Sequence, residues 1–188
     1  MDNQTILIVG VVVLGLVILA VVWAASKAAR KRRARNLQEK FGSEYEAAQE
    51  RYGPRADTVL SERIKRVQRL NLRPLTREQC VRYEGAWSGA QAHFLDDPAL
   101  AVAEADRLIK DMLLARGYPL EDAESRAADL SVDHPRVAQD YRLAHSIARR
   151  CKAGQATTEE MRESMIHFRS VFQDLLQVAA PEMQEARS

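Results

Sequence analysis

The sequence predicts an all-α protein, an N-terminal transmembrane helix followed by an irregular five- or six-helix bundle. Three observations lead there. Residues Ile6 to Ala25 form an apolar run without a single charge, long enough at about 1.5 Å per residue to match a bilayer core of about 30 Å. Beyond it, apolar residues recur at helical spacing between capping and breaking residues. Period-two alternation is nowhere sustained, and β-branched clusters occur only in the apolar run.

The elements follow in order. Residues 1–5 are a short segment without Lys or Arg, which together with the length of the run favours an uncleaved anchor over a signal peptide, although Ala24-Ala25-Ser26 has the small residues of a cleavage site. Residues 26–36 are a basic juxtamembrane flank carrying Lys27, Arg30, Lys31, Arg32, Arg33 and Arg35. Short basic flanks stay on the cytoplasmic side, so the expected topology is N-terminus out and domain in. The same six residues are the candidate membrane-surface contacts. Trp23 suits an interfacial aromatic anchor.

Residues 37–180 are expected to form the helical soluble domain, with a flexible tail at 181–188. Leu37 to Arg51 reads as a helix, with Phe41, Tyr45 and Ala48 on one face, ended by Tyr52-Gly53-Pro54. A second helix carries Leu60, Ile64, Val67 and Leu70 and is stopped by Pro74; Arg63, Lys65, Arg66, Arg69 and Arg73 occupy its other side. Thr76-x-x-Gln79 is a capping-box pattern that opens a third helix through Tyr83, Trp87 and Phe94. Asp97-Pro98 supplies an N-cap and a first-turn proline for a fourth, running to Gly117. A short helix spans Glu121 to Leu130. Another starts at Asp133-His134-Pro135 and runs to Gly154, and Thr157-x-x-Glu160 caps the last, with Met161, Met165, Phe168, Phe172 and Leu175 along one face.

Charge divides the chain unevenly. The formal net charge is +2, yet residues 1–36 hold six Lys/Arg against one Asp, so the remainder is mildly acidic. Whole-domain attraction to nucleic acid is not indicated. Within the domain, residues 51–82 hold nine Lys/Arg and three Asp/Glu, whereas 83–133 hold four and eleven. The basic helix, through Arg63, Lys65, Arg66, Arg69 and Arg73, is therefore a candidate interaction face for an anionic lipid surface or an acidic partner. The competing reading puts its apolar stripe in the core and pairs its arginines with the acidic helices.

The chain lacks the sequence patterns of established catalytic sites. It has no G-x-S-x-G, P-loop or G-x-G-x-x-G, and Asp96-Asp97 and Glu159-Glu160 are accounted for as helix caps. Cys80 and Cys151 fit neither a disulfide framework nor a zinc site. A metal site could be drawn from His145, Glu163 and His167, but no H-E-x-x-H or Glu-x-x-His pair supports it. No catalytic residue, cofactor-binding residue, metal ligand or cofactor is assigned.

Phe41-Gly42-Ser43-Glu44-Tyr45, Gln91-Ala92-His93-Phe94-Leu95-Asp96-Asp97-Pro98, Arg116-Gly117-Tyr118-Pro119 and Ser131-Val132-Asp133-His134-Pro135, followed by Tyr141-Arg142-Leu143-Ala144-His145, resemble an uncharacterised family of small bacterial proteins. The resemblance implies an N-terminal hydrophobic segment, a helical domain and a bacterial membrane or secreted location, and it brings no functional residue with it. The expectation is thus a single-pass protein of the bacterial inner membrane, with a cytoplasmic helical domain acting as a protein-interaction module. Its expected partners are the lipid bilayer and an unidentified protein. The alternatives are an enzyme or metal protein with a site in the bundle, and anionic lipid or nucleic-acid binding through residues 51–73.

Overall fold

The computed structural model describes residues 3–119 and 121–177, with side chains described from Ile18 onward except Arg30. Every regular element among the described residues is helical: α1 (Asn3–Phe41), α2 (Ser43–Tyr52), α3 (Ala56–Val67), α4 (Arg77–His93), α5 (Pro98–Ala115), α6 (Ala123–Leu130), α7 (Pro135–Lys152) and α8 (Thr158–Gln177), with a 3-10 turn at Gly53–Arg55. The tail expected from Pro181 lies outside the described residues.

The transmembrane expectation is corrected. Residues 6–25 are helical within α1, but among the described residues no helix is long and apolar enough to cross a membrane. Ser26 and Lys27 end the apolar part of α1 and open its basic stretch. Ile6 to Val17 lie outside the described side chains.

The chain forms two compact units, Met1–Leu60 and Ser61–Ser188, which divide within α3. In the first, the single helix expected over Leu37 to Arg51 is broken. Gly42 adopts φ 53° and ψ −126°, backbone that a Cβ would strain and that glycine enters freely. α1 ends there and α2 turns away, burying Leu37, Phe41, Tyr45, Ala48, Ala56 and Leu60. Tyr45 Oη donates to Asp57 Oδ1 (3.0 Å) and accepts from Gln49 Nε2 (2.9 Å), tying α2 to the start of α3.

In the second unit α5 packs against α4, α7 and α8, α7 packs along α8, and α6 lies on α7. The caps explain where these helices begin. Thr76 Oγ1 accepts from the Gln79 amide while Gln79 Oε1 accepts from the Thr76 amide, so α4 starts on a complete capping box. Thr157 and Glu160 make the same reciprocal pair before α8. Asp97 Oδ1 accepts from the Leu100 amide, with Pro98 at the first position of α5. His134 occupies the N-cap of α7 without a side-chain cap bond.

The apolar faces so positioned form one core that includes Trp87, Val102, Ile109, Met112, Leu130, Tyr141, Phe168, Phe172 and Leu175. Trp87 stacks on Phe172 with centroids 4.9 Å apart and planes 16° from parallel.

Between α3 and α4 the chain turns at 68–70 and then runs through 71–76 without regular structure. It is held by Arg73, whose amide donates to the Arg116 carbonyl (3.0 Å) and whose Nε donates to the Ala115 carbonyl (2.9 Å). Two carbonyls at the end of α5, left open by the helix, are thereby satisfied, one of them by a cation. The approach is close. Gly117, at φ 97°, would place a Cβ 2.6 Å from the Asn71 carbonyl oxygen.

Candidate functional site

Among the described side chains of the basic flank, Lys27, Lys31, Arg32, Arg33 and Arg35 are exposed, while Arg30 lies outside them. Lys27 Nζ sits 5.2 Å from the Trp23 ring centroid, and Arg35 pairs with Glu39 one turn on.

The other basic set does not form one face. α3 ends at Val67 and not near Pro74, because the Arg69 and Leu70 amides turn back to the Arg66 and Val67 carbonyls and tighten the chain out of α-helix. Arg69 and Arg73 are therefore off the helix. Arg66 points inward. Its Nε donates to Asp129 Oδ1 (2.7 Å), its Nη2 lies 2.5 Å from the same oxygen and 3.1 Å from the Ser125 carbonyl, and Glu121 is 3.6 Å from Nη1. Arg73 is engaged at the end of α5. Lys65 and Arg69 are exposed, and Arg63 is half-buried.

Asp129, on α6, is fully buried. Burial pushes its carboxyl above the usual range, the Arg66 hydrogen bond and charge only partly opposing this, and among the described residues its Oδ2 has no hydrogen-bond partner. One turn earlier, buried Arg126 donates to Tyr141 Oη and to the Glu121 carbonyl (2.5 Å). Among the described residues, buried Arg116 has no partner for Nε or Nη1. Tyr118 beside it has its phenol pushed up to about 12, chiefly by burial, with Arg116 acting against the shift and Asp133, Asp129 and Asp174 adding to it.

Each histidine sits beside a carboxylate. His93 Nδ1 is 2.8 Å from Glu104, His134 Nδ1 2.8 Å from Asp174, His145 Nδ1 2.9 Å from Asp106 and His167 Nδ1 2.8 Å from Asp140. Asp140 also accepts from Ser170 Oγ (2.6 Å). His145 and His167 thus belong to different pairs, and Glu163 is 3.9 Å from the far nitrogen of His167. Among the described residues no three His, Cys, Asp or Glu side chains come together as a metal site would require. Cys80 and Cys151 are free thiols, both pushed up mainly by burial and so protonated at neutral pH.

Among the described residues, surface depressions in the second unit include a groove and a cleft. The first is a groove of about 170 Å³ between α4 and α8, lined by Trp87, Gln91, Phe94, Arg162, Met165, Ile166 and Arg169. Ile166 is half exposed, and Leu95, just beyond α4, almost wholly so. Arg162 is paired with Glu159 on its own helix, and Arg169 makes no ion pair among the described residues. The second is a cleft of about 430 Å³ between α5 and α7, lined by Ala99, Ala103, Asp106, Arg107, Lys110, Ala148, Cys151 and Lys152.

Spacing had put Trp87, Phe94 and Met165 on apolar helix faces. It had not singled out Arg162, Arg169, Arg107, Lys110 or Lys152. One signal was present for the cleft: Ala99, Ala103, Arg107 and Lys110 recur along one side of α5, small residues first and cations after. No family model, curated protein or solved structure matches this chain.

Proposed function

We propose that this protein is an interaction module working at the inner face of a bacterial membrane, and that its partner presents an acidic amphipathic helix to the groove between α4 and α8. The groove carries the reading. Its floor is apolar, with Trp87, Phe94, Met165 and Ile166, and its rim holds Arg162 and Arg169. Apolar anchors of a partner helix at i, i+3 and i+4 fit such a floor. Carboxylates beside those anchors complement Arg169, Arg162 being paired with Glu159, and disfavour basic helices. The location is supported by the exposed cations Lys27, Lys31, Arg32, Arg33 and Arg35, each contributing about 1 kcal/mol when held near an anionic leaflet. Binding of lipid or nucleic acid through residues 51–73 is less well supported, because Arg66 and Arg73 are engaged within the fold.

Trp87 reports on the groove directly. In a Trp23→Phe background, a leucine–glutamate amphipathic peptide of about 18 residues should change its fluorescence saturably, and the leucine–lysine counterpart should not. Arg169→Glu should reverse that preference. Equal responses to both peptides, or none to either, would overturn the reading.

A further inference from the structure

The cleft between α5 and α7 has a charge distribution that the groove lacks. On α5, Ala99 and Ala103 leave room, and Asp106, Arg107 and Lys110 follow on the same side; on α7, Ala148, Cys151 and Lys152 close the cleft. Its charges do not cancel. Lys110 Nζ is bound to Asp106 Oδ2, and Asp106 Oδ1 lies 2.9 Å from His145 Nδ1. Asp106 is thus committed as an acceptor on both oxygens. Burial alone would push its carboxyl up, but the His145 and Lys110 hydrogen bonds and charges outweigh it and hold it below the usual range. Asp97, near Cys151, is occupied in capping α5. Arg107 and Lys152 are left exposed, without an ion pair among the described residues.

We infer that the α5/α7 cleft is a binding site for a phosphomonoester dianion, held between Arg107 and Lys152 over the alanine floor. Two uncompensated cations match the charge of about −1.5 to −2 that a phosphomonoester carries near neutral pH. Arg107 can offer a two-pronged donor to phosphate oxygens, and Lys152 a mobile point charge. The volume falls at the lower end of small-ligand pockets, about 300 to 1,000 Å³, so the ester's organic group fits beside the phosphate. Asp106, fixed by Lys110 and His145, orients Lys110 along the wall.

The test is calorimetric, on the full chain at fixed ionic strength. Glycerol 3-phosphate stands for a soluble ester, and vesicles containing phosphatidic acid, read as the excess over phosphatidylglycerol vesicles of equal charge that the basic flank also meets, stand for a lipid headgroup. Saturable binding in either arm, weakened about tenfold or more in the Arg107→Gln/Lys152→Gln double variant, is the expected result, and the arm that responds identifies the source. Arg149→Gln removes a neighbouring α7 cation outside the cleft and should leave binding within about twofold. The inference is overturned if neither arm saturates, if the double variant binds as the parent does, or if Arg149→Gln weakens binding equally. Both cleft residues are exposed, and an unchanged far-ultraviolet dichroism spectrum of the double variant checks that the fold is intact.

Discussion

Where α4 meets α8 the interior is ring on ring, Trp87 against Phe172 with Phe168 fully buried beside them. Where α6 meets α3 and α7 it is guanidinium on carboxylate and phenol, Arg66 on Asp129 and Arg126 on Tyr141. Both regions bury large side chains, Arg66 only in part, but on different terms. Ring packing gains from every square ångström and tolerates no void. A buried ion pair gains little over an apolar replacement of the same shape, and becomes costly only when one partner is left alone. The aromatic side therefore supplies stability. The polar side supplies register, because Asp129 can be satisfied by α3 in few other arrangements.

Three substitutions break this contrast open, the first with the largest effect. Phe168→Ala empties a fully buried position and should lower unfolding free energy by about 3 to 5 kcal/mol, read as a shift of the urea midpoint at unchanged slope. Arg66→Ala strands the buried Asp129 carboxylate. Because Arg66 is itself partly exposed, the loss should be on the order of 2 kcal/mol. The double variant Arg66→Ala/Asp129→Leu should recover most of it, and a double-mutant cycle that came out additive would refute the pairing.

The third concerns alkaline pH. Burial pushes the Tyr118 phenol from 10.0 up to about 12. A group raised in the folded state gives stability that is complete below its unfolded value and is lost as pH rises through the folded one. Stability should therefore fall between about pH 10 and 12, by up to roughly 1.4 kcal/mol per pH unit for one proton. Tyr118→Phe should flatten that part of the profile, as measured by urea melts across the range.

What the sequence revealed was what is local. The boxes at Thr76 and Thr157 and the Asp97-Pro98 start span four residues or fewer, so their chemistry is complete within the pattern. The break at Gly42 was hidden because Leu37, Phe41, Tyr45 and Ala48 keep helical spacing on both sides of it, and one glycine in such a run costs only about 1 kcal/mol. The early end of α3 was hidden in the same way by Leu70. Nor could spacing show that Arg66 meets Asp129, 63 residues away, or that α5 and α7 open a cleft where their alanines face. The transmembrane expectation rested on one local property, the apolar length of residues 6–25, and among the described residues no helix is long and apolar enough to cross a membrane.

The strap that Arg73 makes on the end of α5 has a consequence for how this chain can vary. Position 117 is doubly constrained, by a φ of 97° and by a carbonyl oxygen where a side chain would begin, so no other residue can stand there without prising the strap away. The carbonyls of Ala115 and Arg116 would then have to find water. The stretch from Asn71 to Leu75, with its proline and its lack of helix, looks like a linker free to lengthen or shorten. It is in fact a splint of set length, and insertions there should be as poorly tolerated as insertions within α5 itself.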